Sequence, residues 1–345
     1  MEYADMRLIP TSMSLRARLA VLCSAILLGC AMPAGANDSS ATLGAGGLRF
    51  ISQPDVVMEA ESLTLTPGLV TVRYVFRNVS RDDVKTLVAF PLPGIGAVDD
   101  FNTVILPVKD DPVDFVGMKT LVDGEPVKMQ VEQRARALGI DRTEMLVDLG
   151  VPITPYLART RAAIGALDEA KRAELTSLGL LSKAFGGTQP GWKLFTTFYW
   201  LQTFPAGQEV IIEHSYRPVV GTTLSPPVGL LVNEPETVAA ARKTYCIDDA
   251  MMADIDKRIG AEGKPGEYTY FGQELEYILK TGDNWSGPIR KFHLVVEADK
   301  PSDFAFFCLD GLQRRSPTRL EMQADSFRPW RNLKVLFLDA HKLEN

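Results

Sequence analysis

The sequence predicts a mainly β protein: antiparallel, sandwich-like sheets with inserted helices. Three observations predict it. Apolar residues recur at every second position over short runs, as at Val70, Val72, Tyr74 and Phe76, the period of a strand with one face in a core. Turn residues punctuate these runs, at residues 78–83, at Asp123-Gly124 and at Pro205-Ala206-Gly207. Helical patterning is gathered in a few places instead of alternating with the strands, which argues against a βαβ fold.

At the N-terminus Arg16 and Arg18 precede the apolar run of residues 19–29, and Ala34-Gly35-Ala36 follows. A positive start, a short apolar core and a small-x-small end make the pattern of a secretory signal peptide. The run is shorter than the roughly 20 residues that span a bilayer core. The expectation is cleavage after Ala36, leaving Asn37 first, and a periplasmic or secreted location. Met13 is a more natural start for such a leader than Met1. Two alternatives stay open: an uncleaved anchor, and a lipoprotein anchored at Cys30. Leu27-Leu28-Gly29-Cys30 resembles a lipobox, although leucine two before the cysteine suits that motif poorly. No later segment is long and apolar enough to span a membrane, so no span is expected after cleavage.

Residues 37–130 form the expected N-terminal β region. Residues 37–47 are small and polar and predict a flexible lead-in. After the run at Val70, residues 78–83 make a turn, and Val84, Thr86, Val88 and Phe90 form a return strand, a hairpin. Residues 131–190 predict a helical insertion. Asp141 precedes Glu144 by three residues, a capping-box-like start, and Gly150 ends that helix. Thr154-Pro155 opens a second, with Pro at the first helical position. Asp168 caps a third, stopped by Gly179. The insertion is readable as a lid or partner surface, or as helices packed on a sheet, the commoner arrangement.

Residues 191–345 form the expected C-terminal β region with short helices. Phe195, Thr197, Tyr199 and Leu201 share one strand face, with Phe198 and Trp200 on the other. After the Pro205 turn, Val210, Ile212, His214 and Tyr216 share a face. Two short helices follow, near residues 238–243 and 249–259, with Gly260 as a stop. The tail returns to β through Phe292, Leu294 and Val296, then Phe304, Phe306 and Cys308, then Leu320, Met322 and Ala324.

The chain has 345 residues, 46% hydrophobic and 23% charged, with a formal charge of −6. Removing residues 1–36 takes away three arginines and two acids, so the remainder is more negative still. That balance argues against nucleic-acid and anionic-membrane partners. Arg328 and Arg331 sit among aromatics but are too few for a phosphate-tracking groove. The three histidines, His214, His293 and His341, share no metal spacing, and no nucleophile elbow or P-loop is present. No cofactor and no metal are therefore expected. The acidic pairs Asp99-Asp100, Asp110-Asp111 and Asp248-Asp249 would serve a hydrolase only if they converged in space; solvated turns and a helix cap are the plainer reading. His214 lies on an apolar strand face, the setting of a satisfied core histidine, and Glu213 points the opposite way. Trp192, Tyr199, Trp200 and Trp285 would stack on a glycan or peptide if exposed, yet large aromatics in a sandwich are mostly core.

Removing the leader also removes Cys23 and Cys30. Cys246 and Cys308 remain, an even pair in an oxidising compartment, and predict a disulfide.

Several stretches together resemble one family. They are Asn37-Asp38-Ser39-Ser40 with the glycine-rich residues 43–48, Tyr74-Val75-Phe76-Arg77-Asn78, Ala89-Phe90-Pro91-Leu92-Pro93 and Gln202-Thr203-Phe204-Pro205-Ala206-Gly207. Tyr245-Cys246-Ile247-Asp248-Asp249 and Asn284-Trp285-Ser286-Gly287-Pro288-Ile289 add to them. The chain is similar in these to the secreted bacterial domain-of-unknown-function family 4424. The resemblance implies an exported Gram-negative protein and brings no activity, cofactor or catalytic residue. The resulting expectation is an envelope protein that acts non-catalytically, binding an envelope protein or a glycan. The alternative is a periplasmic hydrolase using loop carboxylates.

Overall fold

A computed structural model describes residues 37–44, 47–97, 103–105, 107, 111–184, 187–223, 235–261 and 264–343. The expected leader, with Cys30 and the cleavage residue Ala36, lies outside the described residues, as do Asp99, Asp100 and Asp110.

Three sheets carry the fold. Sheet I runs Ile140–Asp141, Gln130–Ala137, Lys193–Phe204, Val84–Pro91, Ser39–Gly44, Gly47–Phe50, with Ile95–Gly96 beside Lys193–Phe204. Sheet II runs Gln313–Ser316, Arg319–Phe327, Ile289–Glu297, Val56–Leu65, Val70–Asn78, Glu209–Tyr216, Lys119–Val122, Glu125–Pro126. Its pairs are antiparallel except Ile289–Glu297 on Val56–Leu65, which is parallel. Sheet III runs Phe304–Phe306, Leu333–Lys342, Tyr268–Tyr277, Val220–Thr223, Thr103–Ile105. The expected mainly β, antiparallel class is what forms.

The alternation read from the sequence decides which faces are buried. Leu194, Thr196, Phe198, Trp200, Gln202 and Phe204 face inward from one long strand. Val210, Ile212, His214 and Tyr216 face inward from the next. Sheets I and II meet over one apolar core holding Tyr74, Phe76, Phe90, Trp200, Phe204, Ile212 and Trp285. The alternating strand Leu333–Lys342 serves two cores. Leu333, Val335 and Phe337 join the main one, while Leu336, Leu338 and Ala340 face a second. Helices α4 (Pro235–Tyr245) and α5 (Asp249–Ile259) cover that second core through Ala241, Tyr245, Ile255 and Ile259.

The hairpin expectation for residues 70–90 is corrected. Val70–Asn78 lies in sheet II and Val84–Pro91 in sheet I, so the turn carries the chain between layers. Lys193–Phe204 and Glu209–Tyr216 do the same in reverse. The strands then pair across the two crossovers, with Phe198 opposite Phe90 and Ile212 opposite Tyr74. A hairpin and a crossover read alike in sequence, because each is two period-2 runs around a turn.

The lead-in expectation is also corrected. Asn37, Asp38, Ser39 and Ser40 are 0% exposed, and Ser39–Gly44 is a strand between Val84–Pro91 and Gly47–Phe50. Small polar side chains fit there because buried partners satisfy them: Ser40 Oγ lies 2.7 Å from Thr86 Oγ1, and Asn284 Nδ2 donates to Ser39 Oγ at 2.7 Å.

The insertion starts later than expected, since Gln130–Ala137 pairs along Lys193–Phe204 as part of sheet I. Helices α1 (Thr143–Asp148), α2 (Ala158–Ala166) and α3 (Glu169–Ser177) then pack with Ala135, Ala137, Leu181 and Trp192 around a third small core. The cap of α1 is Arg142, not Asp141, whose carboxylate accepts from Thr143 N–H at 2.9 Å. Helix α2 begins after Leu157, three residues past the expected Pro start. Asp168 caps α3 through Lys171 N–H at 2.7 Å, and Gly179 follows it at φ +72°.

Candidate functional site

Two features compete for a functional role: a set of titratable groups inside the main core, and a pocket where the sheets meet.

The buried set is built by strand phase. A bulge between Met58 and Ala60 shifts the inward face of Val56–Leu65 onto Glu61, Leu63 and Leu65, so an acid enters the apolar layer. Tyr74 and His214 arrive from strands of the same sheet and Tyr277 from sheet III, and Asn37 and Asp38 enter from just before the first strand. The 3₁₀ turn Lys280–Asn284 closes over them. Gly282 permits that approach, since a Cβ there would stand 2.7 Å from Asn37 Nδ2.

Within the set, Thr120 Oγ1 lies 2.8 Å from His214 Nδ1, and His214 Nε2 lies 3.0 Å from Asp38 Oδ1. Asn37 Nδ2 donates to Glu61 Oε2 at 3.1 Å, and Tyr74 donates to Asn37 Oδ1. Tyr74 and Tyr277 hydroxyls are 3.2 Å apart, and Trp285 Nε1–H donates to the Asp38 carbonyl at 2.7 Å. Burial pushes the Glu61 carboxyl up to about 8. Burial also raises Asp38, against the pull of His214, and drives Tyr74 and Tyr277 well above the ordinary tyrosine range. The carboxyl oxygens Asp38 Oδ2 and Glu61 Oε1 have no hydrogen-bond partner among the described residues.

The hydroxyl–imidazole–carboxylate order is that of a nucleophilic triad. Its setting is not. Thr120, His214 and Asp38 are buried, with the rings of Phe90, Trp200 and Tyr74 4.8, 5.7 and 6.0 Å from the imidazole. Aromatic rings thus pack around these atoms, and the set is built into the core. This agrees with the core reading of His214. Glu213 faces away and pairs with Arg73 at 3.8 Å.

The pocket is different. A cavity of about 190 Å³ is lined by Leu92, Ile95, Phe115 and Tyr216 together with Lys193, Glu274, Glu276 and Lys334. Tyr245 from α4 donates to Glu274 Oε1 at 2.8 Å, and burial followed by that carboxylate raises its phenol. Asn332 Nδ2 reaches Glu276 Oε1 at 3.5 Å. Both signs of charge and apolar side chains thus line one cavity, a grouping suited to a small ligand carrying both charges.

The residues singled out from sequence fall elsewhere. Trp200 and Trp285 are core residues, 5% and 3% exposed, so neither offers a stacking face; Tyr199 is half-buried on the outer face of sheet I. Trp330 is exposed with Arg331 over its ring, while Arg328 pairs with Asp283 at 3.0 Å, the ordinary loop expected there. Of the acidic pairs, Asp111 accepts from the Val113 and Asp114 N–H groups, Asp248 caps α5 and Asp249 pairs with Arg242. Among the described residues these carboxylates do not converge, and no group of three or more His, Cys, Asp or Glu is placed to hold a metal. Cys246 and Cys308 form a disulfide with a Cα separation of 5.2 Å, tying the end of α4 to the segment after Phe304–Phe306. The pocket's charged residues carried no sequence signal, because they come from strands far apart in the chain. Glu61 did carry one: it is an acid in phase with Leu63 and Leu65.

The sequence profile described as "Domain of unknown function (DUF4424)" matches residues 36–336. The chain belongs to the DUF4424 family. No curated protein matches it. Among solved structures, this DUF4424 member is similar to a candidate nutrient-binding protein from Legionella pneumophila, at 14% identity and a TM-score of 0.42, over 88% of this chain and 70% of that one. It is also similar to an M1 zinc metallopeptidase from Deinococcus radiodurans, at 8% identity and a TM-score of 0.28, covering 83% of this chain and 43% of that one. Among the described residues no helix is long and apolar enough to cross a membrane.

Proposed function

We propose that this DUF4424 member is an exported envelope protein that acts by binding, holding a small amphiphilic molecule with both an anionic and a cationic group. The observation that carries the reading is the pocket, whose lining combines Lys193, Lys334, Glu274 and Glu276 with the apolar Leu92, Ile95 and Phe115, Lys334 being the cross-strand neighbour of Glu276. About 190 Å³ is below the roughly 300–1,000 Å³ of drug-sized sites, which limits the occupant to something near an amino acid in size. The glycan expectation rested on Trp192, Tyr199, Trp200 and Trp285; the three tryptophans are buried, which leaves Tyr199, half-buried on the outer face of sheet I, as its remaining support. The hydrolase alternative needed convergent loop carboxylates; those described serve as turn anchors, a cap and an ion pair.

Export is supported by the leader pattern of residues 16–36 and suits the disulfide, since such bonds persist in oxidising compartments. The test of binding is a thermal-shift and calorimetric screen of free amino acids and other small zwitterions. At least one should raise the melting temperature of the wild-type protein and fail to do so with Lys334→Glu. Failure of every zwitterion, with anionic or neutral compounds binding instead, would overturn the ligand class.

A further inference from the structure

The main core buries the carboxyl groups of Asp38 and Glu61, and only Asp38 has a basic side chain beside it among the described residues. Asp38 has His214 at 3.0 Å. Glu61 has the Asn37 amide at 3.1 Å, a neutral donor, and its other oxygen has no hydrogen-bond partner among the described residues. An ionised carboxylate without a counter-charge is among the costliest groups to bury. The same place holds one nitrogen whose charge depends on the state of the chain. Asn37 N–H donates to Thr281 Oγ1 at 2.8 Å, inside the polar set, and the Asn37 side chain is the one that touches Glu61. In an uncut chain that nitrogen is a neutral peptide group.

We propose that the α-ammonium of Asn37, freed by cleavage of the Ala36–Asn37 bond, is the buried counter-charge of Glu61, so that leader removal completes the core. The inference rests on the export reading in taking that bond as the one cut. Under a processing endopeptidase, water adds across the peptide bond and the C–N bond breaks. The acyl carbon keeps the oxygen as the Ala36 carboxylate, and the nitrogen leaves as an amine that takes up a proton. No oxidant or other co-reactant is needed. The new ammonium has three donors where the peptide had one. One keeps Thr281 Oγ1, and the others become available to the Glu61 carboxylate, which the Asn37 side chain already touches. Asn37 is held in place by its side chain on Glu61, Tyr74 and the Leu279 carbonyl, and by Thr281 Oγ1, which donates to the Asn37 carbonyl at 2.8 Å. Rigid placement of this kind is what makes a buried ion pair favourable.

The experiment separates the pairing from the processing. Intact mass of exported protein tests the cut: a chain beginning at Asn37 is expected, and a diacylated Cys30 or a retained leader overturns both readings. The pairing is tested on the chain starting at Asn37 and on the same chain carrying Ala36, which moves the ammonium one residue outward. Each is made with Glu61 and with Glu61→Gln. The Asn37-start protein should melt higher than the Ala36 form by roughly 2–4 °C or more, and the difference should vanish with Glu61→Gln. Equal melting temperatures, or a difference that survives Glu61→Gln, would overturn the pairing while leaving export intact. Should Glu61→Gln not fold, amine acylation decides. The folded Asn37-start protein should resist acetylation of its α-amine by an N-hydroxysuccinimide ester at pH 7 and react on unfolding. Acetylation at the rate of an exposed amine would overturn the proposal.

Discussion

Asn78, at the head of one layer crossover, donates through Nδ2 to the carbonyl of Phe204, at the head of the other, at 2.8 Å. The same amide group reaches the Asp82 carbonyl, and its oxygen accepts from Ser80 N–H and Oγ–H. Ala206 N–H donates to Asp83 Oδ1 and Asn78 N–H to the Gln208 carbonyl, so the two turns are stitched side by side. Asn78→Ala should cost about 1–3 kcal/mol, because it leaves buried carbonyls without donors. Urea unfolding measures this. A loss within experimental error would show that the crossovers do not depend on that side chain.

Trp200 is packed against His214 at 5.7 Å between ring centres, and its indole N–H donates to Gln202 Oε1 at 2.9 Å. Trp200→Ala should destabilise the protein by about 3–5 kcal/mol, the usual cost of emptying an aromatic site. An unchanged melting curve would contradict the core role.

Reduction of Cys246–Cys308 should be costly as well. The bridge spans a sequence separation of 62 residues. The chain-entropy argument gives about 4 kcal/mol for such a loop. The paired Cys246→Ser, Cys308→Ser variant should show that loss in denaturant unfolding, with α4 and α5 exchanging amide hydrogens earlier than sheets I and II.

Glu61 predicts a pH dependence for any form in which Asn37 is blocked. Its folded value stands at about 8, above the ordinary 4.5. The folded state therefore holds a proton that the unfolded chain has released. Stability from this group is fully present below about pH 4.5 and is lost as pH rises to about 8. Asp38, also raised by burial, adds in the same direction. An N-terminally extended protein should thus lose melting temperature over that window, and Glu61→Gln should flatten its contribution. A profile unaltered by Glu61→Gln would contradict the assignment.

Much of the architecture was legible because it depends on period alone. The inward faces of Lys193–Phe204 and Glu209–Tyr216, the Asp168 cap and the two helices before the last strands follow from local pattern. What period cannot say is which sheet a strand joins, so Val84–Pro91 reads as a hairpin partner of Val70–Asn78 although it pairs with Lys193–Phe204. Composition misled at Asn37 to Ser40, where small polar residues look solvated until their buried partners are known. The pocket stayed hidden for a related reason: Lys193 and Lys334 are ordinary outward residues of their strands, brought to one place by the meeting of sheets I and III.

The hydrogen bond from Trp285 to the Asp38 carbonyl joins residues 247 apart in sequence. Asn37 and Thr281 are 244 apart, and the central strand Val56–Leu65 finds its parallel partner only at Ile289–Glu297. Contacts of such separation are the slow ones to form, because the intervening chain must be closed before they return any energy. A chain made from its N-terminus first can pair Val56–Leu65 with Val70–Asn78 early, but the parallel partner on its other edge, Ile289–Glu297, comes late in the sequence. Until then one long edge of Val56–Leu65 stays unpaired, and an open edge of that kind needs protection.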